Sequence, residues 1–213
     1  TVLLVSCVLA IAAQLGHAQG GRRTWTDYGG GPDNSRHLTL NQIDRSNLER
    51  LAVAWTYPTL ENVSYVFNPV VVDNVIYVLA RNNSLVALDA TTGREIWIHE
   101  GLQGIAPRGI NYWESRDRSD RRLLFQLNSY LQAIDARTGR SILTFGKDGA
   151  VNLREGLGRD PATIVKTQSS NPGKVFENLI ILGSAAGENY MAPAGDLRAY
   201  DVVTGALVWQ FHT

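Results

Sequence analysis

One sequence unit occurs three times in this chain and constrains its fold more than any other feature. The unit reads A-x-D-x-x-T-G-x-x-x-W and spans Ala87–Trp97, Ala133–Leu143 and Ala199–Trp209, with Leu143 in the place of the tryptophan in the second copy. The Asp side chain can accept hydrogen bonds from the turn backbone, and the Gly adopts a positive φ that other residues resist. Each copy therefore predicts two β-strands joined by a tight turn, with the bulky ring on the second strand.

The spacing of the copies predicts how these strands are organised. The three Asp residues are separated by 46 and 66 residues, and runs of β-branched and apolar residues precede each copy. The predicted fold class is therefore all-β, a β-propeller of four-stranded antiparallel blades with tryptophan-docking repeats. The rings of Trp97 and Trp209 are then packing residues rather than catalytic ones. Three to four such units cannot close a ring, so we expect the chain to cover the first three to four blades of a longer propeller.

Two other segments are interpreted on the same plan. The polar, glycine-rich segment from Phe145 to Pro161 accounts for the longer second interval and predicts an excursion between two blades. The alternating charges from Arg116 to Arg122 are typical of a solvated hairpin tip rather than of a binding patch.

The beginning of the chain has the character of a secretory signal peptide. An uncharged apolar run that is short for a bilayer span leads through small residues to a cleavage position after Ala18. We expect a truncated signal peptide at 1–18, a partial propeller domain at 19–213, and export to the periplasm. The residues around Cys7 also resemble a lipoprotein cleavage box, but the apolar run continues well beyond Cys7, which favours ordinary cleavage.

Charge and cysteine content exclude several classes of partner and site. The 20 basic and 20 acidic residues give a formal net charge of zero, so neither nucleic acid nor anionic lipid is indicated, and a small molecule is the expected ligand. Cys7 is the only cysteine, so the exported chain cannot rely on disulfides. The sequence also lacks a dinucleotide-binding glycine fingerprint, a P-loop, zinc-ligand spacing and a serine-nucleophile elbow.

Arg108 and Gly109 lie in the stretch PRGINYWE (Pro107–Glu114), which also contains two large aromatic rings and which we expect to be a loop. An arginine presents a rigid fork of donors that matches carboxylate or quinone oxygens. The structural alternative is an ion pair between Arg108 and Glu114 or Asp117, because surface ion pairs are common and weak.

Several motifs, in their order along the chain, resemble those of the PQQ-dependent (quinoprotein) alcohol and glucose dehydrogenases. They are Trp25–Gly30, Asn34–Arg36, Leu51–Tyr57, Arg108–Trp113, Gly183–Glu188 and Gly195–Asp201, together with the repeat itself. Family members are eight-bladed propellers that hold pyrroloquinoline quinone (PQQ) on the central axis beside a Ca²⁺ ion. The resemblance therefore implies both cofactors, and it implies that this chain covers somewhat less than half of one propeller.

The resemblance assigns roles to individual residues. Arg108 takes the position of the family's quinone-contacting arginine, and Gly109 would let the backbone approach the ring. Tyr112 and Trp113 would support the loop. Glu188 falls where the family's calcium-binding glutamate lies, and Ca²⁺ prefers oxygen ligands; the alternative is an exposed loop glutamate. The small or polar residues implied as cofactor contacts are Ser169 with its neighbours Gln168 and Ser170, and the group Ser184, Ala185, Ala186 and Gly187.

The activity implied by the resemblance is oxidation of a sugar or an alcohol. Ca²⁺ would polarise a quinone carbonyl, a carboxylate base would take the substrate's hydroxyl proton, and a hydride would pass to the quinone. Cytochrome c or ubiquinone would then accept the electrons. The family's catalytic aspartate lies in later blades, beyond Thr213, so no catalytic residue is expected in this fragment, which alone should be inactive.

Two departures from the family pattern favour a glucose-type or sugar-alcohol relative over a methanol-type one. The vicinal cysteine pair of alcohol-oxidising members is absent, since Gly101–Pro107 reads GLQGIAP. The glutamate that some members carry before the first blade is not present near Phe67–Pro69.

Two other functions remain open on the sequence. A non-catalytic propeller that serves as an envelope assembly scaffold would have the same repeat, although it needs neither Arg108 nor Glu188. A lectin-like propeller would repeat its aromatic platform in every blade, whereas Arg-Gly-x-x-Tyr-Trp occurs once.

Overall fold

The computed structural model describes residues 24–31, 33–59, 66–185, 187 and 192–213. The signal peptide predicted at 1–18 lies outside these residues. None of the helices in the described part of the chain has the length and apolar character that crossing a bilayer requires.

Twelve strands of the described residues form three antiparallel sheets of four strands each, here called blades 1 to 3. Blade 1 contains β1 (Val70–Val72), β2 (Val75–Ala80), β3 (Ser84–Asp89) and β4 (Glu95–His99). Blade 2 contains β5 (Asn111–Glu114), β6 (Arg121–Leu127), β7 (Tyr130–Asp135) and β8 (Ala150–Asn152). Blade 3 contains β9 (Lys174–Phe176), β10 (Leu179–Gly183), β11 (Leu197–Asp201) and β12 (Leu207–Phe211). Short 3-10 helices occur at Leu48–Arg50, Arg81–Asn83 and Pro161–Thr163.

The core lies between successive blades, because each strand of blade 2 sends alternate side chains to opposite faces. On β6, Leu123 and Phe125 pack against blade 1, in a cluster that includes Val70 and Leu85. Leu124, between them, packs against blade 3 in a second cluster. The two clusters hold the three sheets face to face.

The repeated turns have the predicted construction. The Asp89 Oδ1 atom accepts hydrogen bonds from the backbone N–H groups of Thr91 (3.0 Å) and Thr92 (2.8 Å) and from the Thr92 hydroxyl (2.9 Å). The hydrogen bond from the Thr92 hydroxyl lowers the pKa of Asp89. Gly93 has φ of +70°, and the turns that begin at Asp135 and Asp201 repeat this pattern.

Tryptophan rings pack on two of the three repeated turns. The Trp97 Nε1 atom donates to the Ala136 carbonyl at 3.1 Å, and a Cβ placed on Gly139 would lie 2.6 Å from the Trp97 ring. Trp55 makes the same contacts one repeat earlier, with the Ala90 carbonyl (3.0 Å) and Gly93 (2.6 Å). The glycine is thus required both for its positive φ and for its lack of a side chain beneath the ring.

The second repeat departs from this pattern, and the prediction that Phe145–Pro161 is only an excursion between blades is wrong. Its fourth strand is β8, which lies inside that segment, while Leu143 is 70% exposed. The leucine side chain has no N–H to donate to a carbonyl of the next blade. The blade 3 turn is instead held by the backbone N–H of Gly146, which donates to the Thr204 carbonyl at 2.8 Å.

The charged stretch Arg116–Arg122 is also more than the solvated tip predicted from its sequence. Arg118 pairs with Asp73 of blade 1 at 2.6 Å. Arg122 is buried on β6 and donates to the Val203 carbonyl of blade 3 at 2.7 Å. The strand begins at Arg121, so the last arginine of the run points between the blades and ties blade 2 to blade 3.

Replacement of Trp97 by Ala tests the docking contact. We expect a loss of about 3 kcal/mol in the free energy of unfolding, because the change removes a packed ring and one of the two donors to the Ala136 carbonyl, which keeps only the Tyr77 hydroxyl. Urea unfolding followed by circular dichroism measures this loss. The matched control, Leu143→Ala, should cost less than about 0.5 kcal/mol because that side chain is largely exposed. Equal losses in the two variants would contradict the docking role.

Candidate functional site

Three loops meet at the edge of the sheets where β1, β5 and β9 begin, here called the upper face; it carries Asn68, Arg108–Gly109 and Ser169–Asn171. The Asn68 N–H and side-chain amide donate to the Arg108 carbonyl at 3.4 and 3.0 Å. The Arg108 N–H donates to the Ser170 carbonyl at 3.3 Å. The repeated Asp-x-x-Thr-Gly turns lie at the opposite edge, since the strands of each blade alternate in direction.

A fourth segment, the one that follows β10, joins the same face. The Ala185 N–H donates to the Thr167 carbonyl at 2.9 Å, and the Ser184 N–H donates to the Asp196 carbonyl at 3.3 Å. The structure therefore brings together most of the cofactor contacts predicted from the sequence: Arg108, Gly109, Ser169, Ser184 and Ala185. Gly187 is exposed. Ala186 and Glu188 lie outside the described residues, and their predicted roles stay predictions.

The Arg108 side chain is exposed on the upper face and forms no ion pair within the described residues. Its Nη1 atom donates to the Asn171 Oδ1 atom at 3.2 Å. The two acids considered as alternative partners are engaged elsewhere. Glu114 pairs with Arg118 at 3.0 Å, and Asp117 accepts hydrogen bonds from Ser115 and Ser119. The ion-pair alternative is therefore wrong, and most donors of the guanidinium face solvent.

Gly109 occupies a backbone conformation that only glycine adopts readily. Its φ is +134°, and a Cβ placed on it would lie 3.2 Å from the Asn68 carbonyl oxygen. The residue forms a parallel bridge with Asn68, which brings the starts of β1 and β5 into contact. The glycine thus lets the backbone that follows Arg108 approach the backbone of Asn68 closely.

The prediction that the whole of PRGINYWE is a loop is wrong, because Asn111–Glu114 is β5. Tyr112 points toward blade 1, where its ring stacks on that of Tyr77 at 6.4 Å, and burial raises its pKa. Trp113 points toward blade 3, where its Nε1 atom donates to the Asn178 Oδ1 atom at 3.2 Å. The two rings hold the strand that follows Arg108 between its neighbours, which is the support predicted for them.

The polar residues before β9 divide into two groups. The Ser169 Oγ atom is half-buried and accepts from the Asn171 N–H at 3.1 Å. Gln168 is buried, and both ends of its amide bind blade 2: Oε1 accepts from the Ser129 N–H (3.1 Å) and Nε2 donates to the Gly104 carbonyl (2.9 Å). Ser169 is thus open to a ligand, whereas the amide of Gln168 is used inside the protein.

Sequence reasoning missed a buried arginine that supports the loop after β10. Arg198 donates to the Leu153 carbonyl (2.7 Å), to the Glu155 carbonyl (2.9 Å) and to the Ser184 hydroxyl (3.3 Å). The available signal was a charged residue directly before Ala199 and Tyr200, on a strand whose central residues are buried. An arginine is almost never buried unless its donors are satisfied, so this position indicated acceptors nearby.

The sequence of the chain is similar to that of one group of enzymes. The family model described as "PQQ: Glucose/ethanol/alcohol dehydrogenase, beta-propeller domain" matches residues 25–213. The chain is 30% identical to the quinate/shikimate dehydrogenase (quinone) of Acinetobacter baylyi, covering 88% of this chain and 27% of that protein. It is 26% identical to the quinoprotein glucose dehydrogenase of Escherichia coli, with the same coverage of 88% and 27%. The chain spans about a quarter of the length of these relatives.

Two solved structures have the same arrangement of blades. The quinohemoprotein alcohol dehydrogenase of Comamonas testosteroni matches with a TM-score of 0.64 at 25% identity, over 89% of this chain and 27% of that one. The quinohemoprotein alcohol dehydrogenase ADHIIG of Pseudomonas putida HK5 matches with a TM-score of 0.65 at 25% identity, over 89% and 26%. The propeller fold predicted from the repeat is confirmed.

Replacement of Gly109 by Ala tests the contact between the starts of β1 and β5. We expect a loss of about 2 kcal/mol in the free energy of unfolding, because the new Cβ meets the Asn68 carbonyl in a backbone conformation that alanine resists. The control is Gly101→Ala, where φ is +83° but no atom lies within 4 Å of the added Cβ. That variant should lose about 1 kcal/mol from its φ alone. A loss in Gly109→Ala no larger than in the control would show that the close approach is unimportant.

Proposed function

Because the chain belongs, through its β-propeller domain, to the family of PQQ-dependent glucose, ethanol and alcohol dehydrogenases, we propose that the whole protein oxidises a hydroxyl group of a sugar or an alcohol with PQQ as its cofactor. Relatives named for glucose, glycerol, quinate or shikimate, and alcohol support this substrate class. Since the chain spans about a quarter of those proteins, its residues supply one part of the cofactor site.

The observation that carries this proposal is the state of Arg108. Its guanidinium is exposed where the loops of the upper face meet, its one described side-chain partner is a neutral amide, and no carboxylate of the described residues neutralises it. A cation held in this way has donors to offer an anionic ligand. Carboxylate and quinone oxygens match the fork of an arginine, and paired charged hydrogen bonds are roughly twice as strong as neutral ones.

The remaining groups on the upper face fit PQQ, a flat tricyclic ortho-quinone with three carboxylates. Ser169 contacts Asn171, which is also the partner of Arg108. Ser184 supplies a second hydroxyl, and the small side chain of Ala185 leaves room for a planar ring where its N–H bonds to Thr167. The Thr167 hydroxyl is buried without a partner among the described residues, so one hydrogen-bonding group beneath these loops is still unused. The residues present are therefore suitable for the cofactor.

When bound, PQQ supplies the two-electron acceptor for the substrate hydride. The residues of this chain bind and orient it. Arg108 provides charged donors at the rim, and Asn171 fixes the direction of the guanidinium through the 3.2 Å hydrogen bond. The β5 strand, held between blades by Tyr112 and Trp113, keeps the arginine loop from moving, and such preorganised donors need no rearrangement during the reaction.

The metal, the electron acceptor and the location are further parts of the proposal. We propose Ca²⁺ at Glu188, supported by its position after a run of small residues and by the preference of Ca²⁺ for oxygen ligands. The described residues contain no group of three acids, histidines or cysteines that could hold a metal. Ubiquinone or cytochrome c would accept the electrons, and three relatives carry "quinone" in their names. The signal-like sequence at 1–18 supports the periplasm.

Replacement of Arg108 by Ala in the full-length gene product tests the cofactor site. We expect the dissociation constant for PQQ to rise about ten- to a hundredfold, because hydrogen bonds to a charged group are lost. Titration followed by the absorbance of the quinone measures the dissociation constant. The control is Arg140→Ala, which changes an exposed arginine at the opposite edge and should leave the constant unchanged.

A wild-type protein that binds no PQQ but co-purifies with outer-membrane assembly partners would instead favour the envelope scaffold.

Replacement of Glu188 by Gln tests the metal. With PQQ and Ca²⁺ present, the wild-type full-length protein should reduce an artificial dye when given a sugar or an alcohol, and the variant should require at least about tenfold more Ca²⁺ for half-maximal activity, since a charged ligand becomes neutral. Removal of Ca²⁺ by a chelator should abolish dye reduction by both proteins. Undiminished activity of the chelated wild type would count against the metal.

A further inference from the structure

The second β-turn of blade 2 contains a buried serine in a conformation that serine resists. The β2–β3 turn of blade 1 has Asn82 and Asn83 at φ of +54° and +51°, and the β6–β7 turn of blade 2 has Asn128 and Ser129 at +49° and +67°. Two-residue hairpin turns with both φ values positive select Asn and Gly at these positions. Ser129 is the departure from that preference.

The blade 1 turn is one residue longer, since Ala80 pairs with Ser84 whereas Leu127 pairs with Tyr130, but the last residue of each turn makes the same backbone contact. The Asn83 carbonyl accepts from the Leu102 N–H at 3.0 Å, and the Ser129 carbonyl accepts from the Leu153 N–H at the same distance. Asn83 is exposed, whereas Ser129 is 1% exposed. The difference comes from the segment before β9, which covers the blade 2 turn.

The Ser129 hydroxyl binds this covering segment directly. Its Oγ atom accepts from the Thr167 N–H at 3.0 Å and from the Gln168 N–H at 3.4 Å. The Ser129 N–H donates to the Gln168 Oε1 atom at 3.1 Å. Glycine is the residue best suited to this backbone conformation, but it has no hydroxyl and cannot make the first two contacts. The hydroxyl contacts therefore explain why a serine is kept at an unfavourable φ.

The segment bound by Ser129 contacts two parts of the candidate site, the residues around Ser169 and the loop after β10. Thr167 accepts a hydrogen bond from the Ala185 N–H at 2.9 Å, and Ser169 follows two positions later in the same segment. Ser129 therefore fixes the segment that carries Ser169 and that bonds to the loop after β10. It lies beneath that segment and is too deeply buried to touch a ligand on the upper face itself.

We propose that Ser129 is a positioning residue for the cofactor, acting through Thr167 and Gln168 to hold Ser169 and the residues Ser184 and Ala185 in the arrangement that binds PQQ. This inference rests on the proposed function. Loss of the hydroxyl frees two buried N–H groups and lets the segment shift, so the binding loops lose their mutual arrangement while the blades remain folded.

The test uses the full-length protein and three variants, Ser129→Gly, Ser129→Ala and, as matched control, Asn83→Gly at the equivalent position of blade 1. In Ser129→Gly the relief of the left-handed backbone offsets the lost hydrogen bonds, so its midpoint of thermal unfolding should stay near that of the wild type. Its dissociation constant for PQQ should rise about tenfold, as expected when binding groups are no longer preorganised. The absorption spectrum of bound quinone should also differ from that of the wild-type complex.

The other variants separate positioning from stability. Ser129→Ala should show the same loss of affinity together with a lower unfolding midpoint, because alanine keeps the unfavourable φ without the hydroxyl. Asn83→Gly should keep the wild-type dissociation constant within twofold. A Ser129→Gly protein that binds PQQ with the wild-type constant and spectrum would overturn the proposal. If the wild type itself binds no PQQ, the proposed function fails first, and the role of Ser129 fails with it.

Discussion

The contact of a tryptophan ring with the glycine of the next repeat is the interaction on which this structure depends. Trp55 and Trp97 each cover a glycine at positive φ and donate to the carbonyl of the residue that follows the turn's Asp. The contact fixes both the distance and the angle between neighbouring sheets, because the ring and the N–H must be satisfied together. With the blades placed in this way, the loops before their first strands meet at one edge.

The joint between blades 2 and 3 lacks such a ring, and it is the joint beside the candidate cofactor site. Arg122 reaches the carbonyls of blade 3, Trp113 binds Asn178, and Gln168 and Ser129 bind each other across the same boundary. Polar contacts of this kind are directional, so they specify position more narrowly than apolar packing does. The absence of a docking ring thus coincides with the place where a ligand site requires exact placement of several loops.

The sequence predicted the parts of this structure that local chemistry controls. The Asp, Thr and Gly of the repeat determine their own turn, so blades 1 and 3 were predictable, and so was the packing role of Trp97. Blade 2 was not, because the repeat places its fourth strand at Leu143, where leucine replaces the tryptophan, whereas that strand forms later, at Ala150–Asn152. The role of Ser129 was also not predictable, since it depends on a segment about forty residues away in the chain and on a backbone angle that the residue type disfavours.

In the proposed site, the loops of the upper face hold PQQ with Arg108 at its rim. A crystal structure of the full-length protein grown with PQQ would show this contact. We expect the quinone above the Ser169 and Ser184 loops, with a guanidinium nitrogen of Arg108 within about 3.2 Å of one of its oxygens. Quinone density elsewhere, or Arg108 turned away from it toward a carboxylate of the protein, would show that these loops do not bind PQQ in this way.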